Sequence, residues 1–217
     1  APFLSVHSPE LSEEQLDQWR ELSDSGSQSF DNENWTEAAA GFQAALDIDP
    51  DYADTHFRLA TAYENLGESK KAKTHYERAL DLDALRFRAD TEINQIIQNV
   101  ANSVESDAFS FVDNVAAFEQ ASQPFQPGWN LLLEHVHYDF AGNHVLSAEI
   151  SRSIISNLTA PDNYQPLSSA EVGKRIGFPN HETIEVIKNL QGMVQHPPFP
   201  GQSNYTELKT FLDDSLE

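Results

Sequence analysis

Glu134 and His137 stand three positions apart in the run Leu131-Leu-Leu-Glu-His-Val-His-Tyr-Asp-Phe-Ala-Gly142. A carboxylate set against an imidazole is what a general base needs. The acid fixes the tautomer and stabilises the imidazolium that forms when the ring takes a proton from a nucleophile. On a tight loop a separation of three lets both side chains converge, so Glu134 and His137 are the candidate catalytic acid–base pair. The same stretch holds His135 and His144 beside Asp139. A His-x-His pair can bind zinc or copper through imidazole nitrogens, but no second cluster offers further ligands at a recognisable spacing. No metal site is therefore assigned, and no cofactor is expected. The plainer alternative is that these histidines are satisfied structurally and do no chemistry.

The elements around the pair come next. Residues 109–113, Phe-Ser-Phe-Val-Asp, read as a short buried strand ending in an acid. A brief helix follows over 114–120, then a turn-rich segment marked by Pro124, Pro127 and Gly128. Beyond the pair, an amphipathic helix is expected over about 143–158. Three more helices are expected over 168–176, 180–190 and 205–216, with caps in Ser168, Asn180 and Ser203 or Asn204. Pro197 and Pro198 predict a short extended linker between the last two.

Further upstream the sequence repeats itself. At a shift of 34 residues Ala38, Phe42, Ala45, Leu46 and Ile48 align with Ala72, Tyr76, Ala79, Leu80 and Leu82, and Asp49-Pro50 aligns with Asp83-Ala84. A small Ala lets a partner helix approach, and an aromatic four positions later fills the groove between them. This predicts helices over 19–30, 34–48, 53–66 and 69–82. Ser12 and Gln15 form a capping box ahead of the first, Gly67 ends the third and Ser69 caps the fourth. Residues 84–104 predict one long helix covering the end of the stack. Gly26, Ala38, Phe42, Ala45 and Pro50, then Leu59, Tyr63, Ala72, Tyr76 and Ala79, resemble the tetratricopeptide repeat family closely. The resemblance implies a mainly α fold: a helix–turn–helix solenoid of two repeats plus a capping helix, used to bind proteins or peptides in a concave groove. Phe57, Thr61 and Glu64 share one face of the leading helix of the second repeat. They are the expected peptide-binding positions, turned away from the partner helix. The groove either holds a protein or peptide partner or packs against the rest of the parent protein.

Residues 131–150 in turn resemble the last motif of the lipase-like hydrolases named for their Ser, Gly, Asn and His residues (the SGNH/GDSL type). There an Asp lies three residues before the catalytic His, and a Gly lies five after it at the start of the final helix. His137 and Gly142 match that spacing, and Glu134 stands where Asp is usual. The Ser nucleophile and the oxyanion-hole Gly and Asn belong to earlier motifs of that family and have no counterpart in this chain. Residues 83–88 and 2–5 also look like a subgroup in which tetratricopeptide repeats interrupt the hydrolase domain. The resemblance implies that the chain is an internal or C-terminal piece of a larger esterase or acyltransferase. Residues 1–106 would hold the repeats, 107–160 a small α/β remnant and 161–217 a helical segment. Alone, the chain is expected to be inactive on esters, because an acid–base pair without its nucleophile has nothing to activate.

Composition limits the partners. With 13 Lys and Arg against 35 Asp and Glu the net charge is −22, which repels phosphate backbones and anionic lipid. The acids are scattered, as on a solvated surface. No run of 18 apolar residues occurs, so the chain does not insert into a membrane. Cysteine is absent, which excludes disulfides and thiolate chemistry and assigns no compartment. An unpaired strand edge at 109–113 leaves an oligomer joined there open.

Overall fold

Small residues at helical spacing draw the first four helices together. The computed structural model describes residues 1–106, 109–158, 164–178 and 180–216. Helices α1 (Glu13–Asp31) and α2 (Trp35–Leu46) pack as one hairpin, α3 (Ala53–Asn65) and α4 (Ser69–Leu82) as a second, and α2 lies on α3. A Cβ added at Gly41 would come within 2.7 Å of the Gly26 Cα, so the first two helices cross at van der Waals distance only because both residues are glycine. Beside that crossing, Phe42 and Leu59 are fully buried among Ala38, Ala39, Leu46 and Ala62, with Phe30, Trp35 and Tyr63 packed around them. Burial of such a ring contributes about 2–3 kcal/mol.

The expected capping box is present at Ser12 and Gln15, and Gly67 adopts φ 75° to close α3. Several boundaries differ. Helix α1 begins at Glu13, six residues earlier than the apolar pattern suggested, because the capping box starts it. Ser69 is the first helical residue of α4 rather than its cap, which is Glu68, and no side chain bonds the cap there.

The expected helix over 84–104 is shorter, with α5 spanning Thr91–Asn102. Residues 84–90 lie outside the helix, and carboxylates bind main-chain N–H groups in the turn before it and in its first turn. Asp83 accepts from Leu85 at 3.0 Å, Asp90 from Ile93 at 2.8 Å, and Asp81 from Thr91 at 2.9 Å.

The remaining helices are α6 (Asn114–Ser122), α7 (Phe140–Leu158), α8 (Ser169–Ile176), α9 (Asn180–Met193) and α10 (Tyr205–Asp214), with a 3-10 turn at Phe199–Gly201. Helix α6 packs on α7, and α7 on α8. Among the described residues there is no strand, so the expected strand over 109–113 and its α/β remnant are corrected. A strand needs a neighbour to share its hydrogen bonds, and these residues have none. Pro197 and Pro198 lie in a turn leading into the 3-10 helix rather than in an extended linker. Ser168 caps α8 with Glu171 as expected. Ser203 instead donates to Asp54, and the buried Oδ1 of Asn204 has no partner. The expected cap at Asn180 and the expected boundaries at 106/107 and 160/161 involve side chains or residues outside the described ones.

The chain forms two compact units. One is Ala1–Asn94 with His196–Thr206, and the other is Gln95–Gln195 with Glu207–Glu217, the division falling within α5 and α10. Among the described residues no helix is long and apolar enough to cross a membrane.

Candidate functional site

The loop before α7 is closed by its own main chain. Leu133 N–H donates to the His137 carbonyl at 2.8 Å and Asp139 N–H to the Leu131 carbonyl at 3.0 Å, with one antiparallel bridge between Leu132 and Tyr138. Glu134 sits in the bend. Its carboxylate accepts from the main-chain N–H groups of His135, Val136 (3.1 Å) and His137 (2.7 Å), and from Nδ1 of the His137 ring. The two expected residues are therefore brought together. The Glu134 side chain is 1% exposed and that of His137 58% exposed. A carboxylate surrounded by N–H groups is an acceptor only, so Nδ1 carries the hydrogen and the neutral ring keeps a bare lone pair on Nε2. That nitrogen has no hydrogen bond among the described residues. The arrangement is a fixed imidazole with an open basic nitrogen.

Gly142 holds helix and loop at their closest approach. A Cβ there would lie 2.2 Å from the Leu131 carbonyl oxygen, so no other residue fits without moving the loop. Asp139 caps the same helix, accepting from Gly142 N–H at 2.7 Å. Helix α7 accordingly begins at Phe140, three residues before the expected start. His144 donates from Nε2 to the Leu167 carbonyl at 2.7 Å, which removes that nitrogen from the set of metal ligands. Among the described residues no group of three or more His, Asp or Glu is arranged to hold a metal ion.

In the repeat unit, Phe57, Thr61 and Glu64 do share a face of α3, but that face is not turned away from the partner helix. Tyr76 of α4 crosses it. Its ring lies 5.6 Å from that of Phe57, its hydroxyl is 3.2 Å from Thr61 Oγ1 and donates to Glu64 at 2.9 Å. Burial, with the Glu64 charge beside it, pushes the Tyr76 hydroxyl far above its ordinary pKa, so it remains a donor. The reason is geometric: Tyr76 occupies the aromatic position of its repeat and is long enough to reach across. Phe57, Thr61 and Glu64 are all half-buried, so part of each side chain remains accessible.

A pair that sequence reasoning missed lies between the same two helices. Nδ1 of His56 and Nδ1 of His75 are 2.9 Å apart, and His56 Nε2 is 3.0 Å from the Pro50 carbonyl. The carbonyl only accepts, so His56 carries its hydrogen on Nε2, and His75 donates to its bare Nδ1. Burial lowers the pKa of His56, and burial together with His56 holds His75 at about 4. The rings border a cleft of about 700 Å³ with Arg78 and Asp81. Their separation of 19 positions carries no motif, and only the shared facing of α3 and α4 would have signalled the pair.

Comparison with known families places the repeats. A TPR repeat family model matches residues 26–67, and a tetratricopeptide repeat model matches residues 53–84. Together these spans run from the last third of α1 to just past the end of α4. No curated protein and no solved structure matches the chain. Residues 26–84 of this mainly helical chain are thus similar to tetratricopeptide repeats.

Proposed function

We propose that the repeats hold a protein partner on the α3 face carrying Phe57, Thr61 and Glu64, with Tyr76 as its floor. The observation behind this reading is the match of residues 26–84 to the repeat family, joined to the half-exposed positions on that face. The partner's chemistry follows from the surface: an apolar group for Phe57 and a donor or cation for Glu64. A photocrosslinking residue at Phe57 should capture the partner, and Glu64→Lys should reduce that yield. Equal capture from exposed Gln43 on α2, unaffected by Glu64→Lys, would sink the reading.

A second reading is favoured by the buried carboxylate against an exposed imidazole. In it Glu134 and His137 are the acid–base pair of an SGNH-like acyl-ester hydrolase or acyltransferase, and its nucleophile is supplied by sequence outside residues 1–217. Nε2 of His137 would take the nucleophile's proton, with Glu134 holding the ring in the productive tautomer. The test is hydrolysis of a short acyl ester by a longer protein that includes upstream sequence. His137→Ala should lower kcat by roughly 10⁴-fold or more, and Glu134→Gln by a comparable amount through the wrong tautomer. Turnover unchanged by His137→Ala, or ester hydrolysis by residues 1–217 alone, would refute it.

A further inference from the structure

Asp49 and Asp83 occupy the same position in successive repeats, and both are buried, at 0% and 4% exposure. Each holds the same stretch of chain. Asp83 accepts from the main-chain N–H groups of Phe3 (2.9 Å) and Leu4 (3.1 Å), and the Leu4 carbonyl accepts from Ala84 N–H at 3.0 Å. Asp49 meets Nδ1 of His7 at 2.7 Å. Between them, Ser5 Oγ accepts from the N–H of Asp54 at 2.9 Å. The cap residue of α3, Tyr52, makes no side-chain cap bond, so a hydroxyl 49 positions away in sequence takes over that role.

Residues 3–7 alternate as an extended peptide does. Phe3, Ser5 and His7 face the repeats, while Leu4 and Val6 are 48% and 56% exposed. Phe3 stands edge-on to Phe87 and Phe199, at 5.1 and 5.2 Å. The His7 ring stacks on Tyr52 at 4.4 Å and meets the edge of Trp19 at 4.5 Å. Apolar pockets for alternate side chains, with main-chain N–H groups bonded to fixed acceptors, are the two components of extended-peptide recognition. Hydrogen bonds to ionised carboxylates are the stronger kind.

We propose that this edge of the repeats, where the second helix of each pair ends, is a binding site for an extended peptide with an aromatic, a small hydroxyl and an imidazole at alternate positions. Residues 1–7 are its tethered occupant. The site uses Asp49, Asp54 and Asp83, none of which belongs to the Phe57 face, so it is separate from the binding role proposed above. A tether supplies an effective concentration on the order of millimolar, so a free peptide competes poorly until the tether is cut.

The test places a protease site in the exposed turn at Pro9 and Glu10 of the full chain and cleaves it after folding. A labelled peptide with the sequence of residues 1–8 should then bind saturably, and at least about 10-fold more tightly than to the uncut chain. Phe3→Ala or His7→Ala in that peptide should each weaken binding by about 10-fold or more, and Leu4→Ala or Val6→Ala by about 2-fold or less. Equal binding to cut and uncut chain, no binding, or equal effects at Leu4 and Phe3 would overturn the proposal. So would unfolding on cleavage, which would make residues 1–7 core rather than ligand. In the uncut chain, Asp83→Asn should speed amide exchange at Phe3 and Leu4 while leaving the α3 amides unchanged. Equal acceleration in α3 would again count against a separable occupant.

Discussion

In the repeat unit, Ala38, Ala45, Ala53, Ala60 and Ala62 are wholly buried, and Phe42 and Leu59 fill the space between the helices they bring together. In the unit of Gln95–Gln195 with Glu207–Glu217, the balance reverses. Ile96, Ile97, Val100, Phe109, Phe125, Ile154 and Leu158 are each more than a third exposed. Small residues let helices approach until dispersion contacts are continuous, as in the first unit; in the second the buried apolar residues include Phe118, Leu131 and Ala148, and Ile187, Val194 and Leu212. Yet the candidate acid–base loop lies in the second unit. Its order comes from main-chain hydrogen bonds to Glu134 and from the close seat of Gly142, not from a large apolar core. Dense packing and a positioned polar group are thus separate achievements in this chain.

Three measurements bear on that contrast. Phe42→Ala should have the largest effect, lowering the stability of the repeat unit by about 3–5 kcal/mol in urea unfolding, because the ring is wholly buried among Ala38, Ala39, Leu46, Leu59 and Ala62. The exchange of amides in the Glu134 loop should not change. If it does, packing and site order are not separable.

Gly142→Ala comes next, at about 1–3 kcal/mol, since the added methyl must displace the Leu131 carbonyl or the start of α7. Here the ring signals of His137 should shift as its contact with Glu134 is disturbed, while the far-ultraviolet dichroism of the repeats stays unchanged. An unaltered His137 spectrum would mean that the glycine does not set the loop.

The smallest effect is a pH dependence confined to the repeats. The unfolded chain binds a proton at His75 below its ordinary pKa of 6.5, whereas the folded chain does not until about 4. The neutral pair's contribution is therefore fully present above pH 6.5 and is lost as pH falls from 6.5 towards 4. The ring is half exposed, so solvent moderates the size of the loss. In melts across this window His75→Gln should flatten the slope, and an unchanged slope would show that other groups carry it.

Much of the repeat unit was legible because its information is local. A period of 34, a small residue and an aromatic four positions on, and a Ser–Gln capping box all lie within one or two helical turns of what they act on. The Glu134–His137 pair was legible for the same reason, since three residues on a loop leave few alternatives. The strand expected over 109–113 failed because strand identity belongs to a pair of segments, and five residues with apolar character say nothing about a neighbour. The helix expected over 84–104 starts only at Thr91, because Asp81 and Asp90 take the N–H groups of Thr91 and Ile93 that a longer helix would have used internally, while Asp83 binds Leu85 N–H in the turn before it.

The sequence by itself determined the helical repeats, the acid–base spacing and the net charge of −22, because each is a matter of period, separation or count along the chain. Tertiary structure alone decided that Tyr76 covers the face of Phe57, that His56 and His75 share a hydrogen, and that Asp49 and Asp83 grip residues 3–7. These are meetings between residues 12 to 80 positions apart. Their geometry is set by where packed helices end, and no local pattern encodes it.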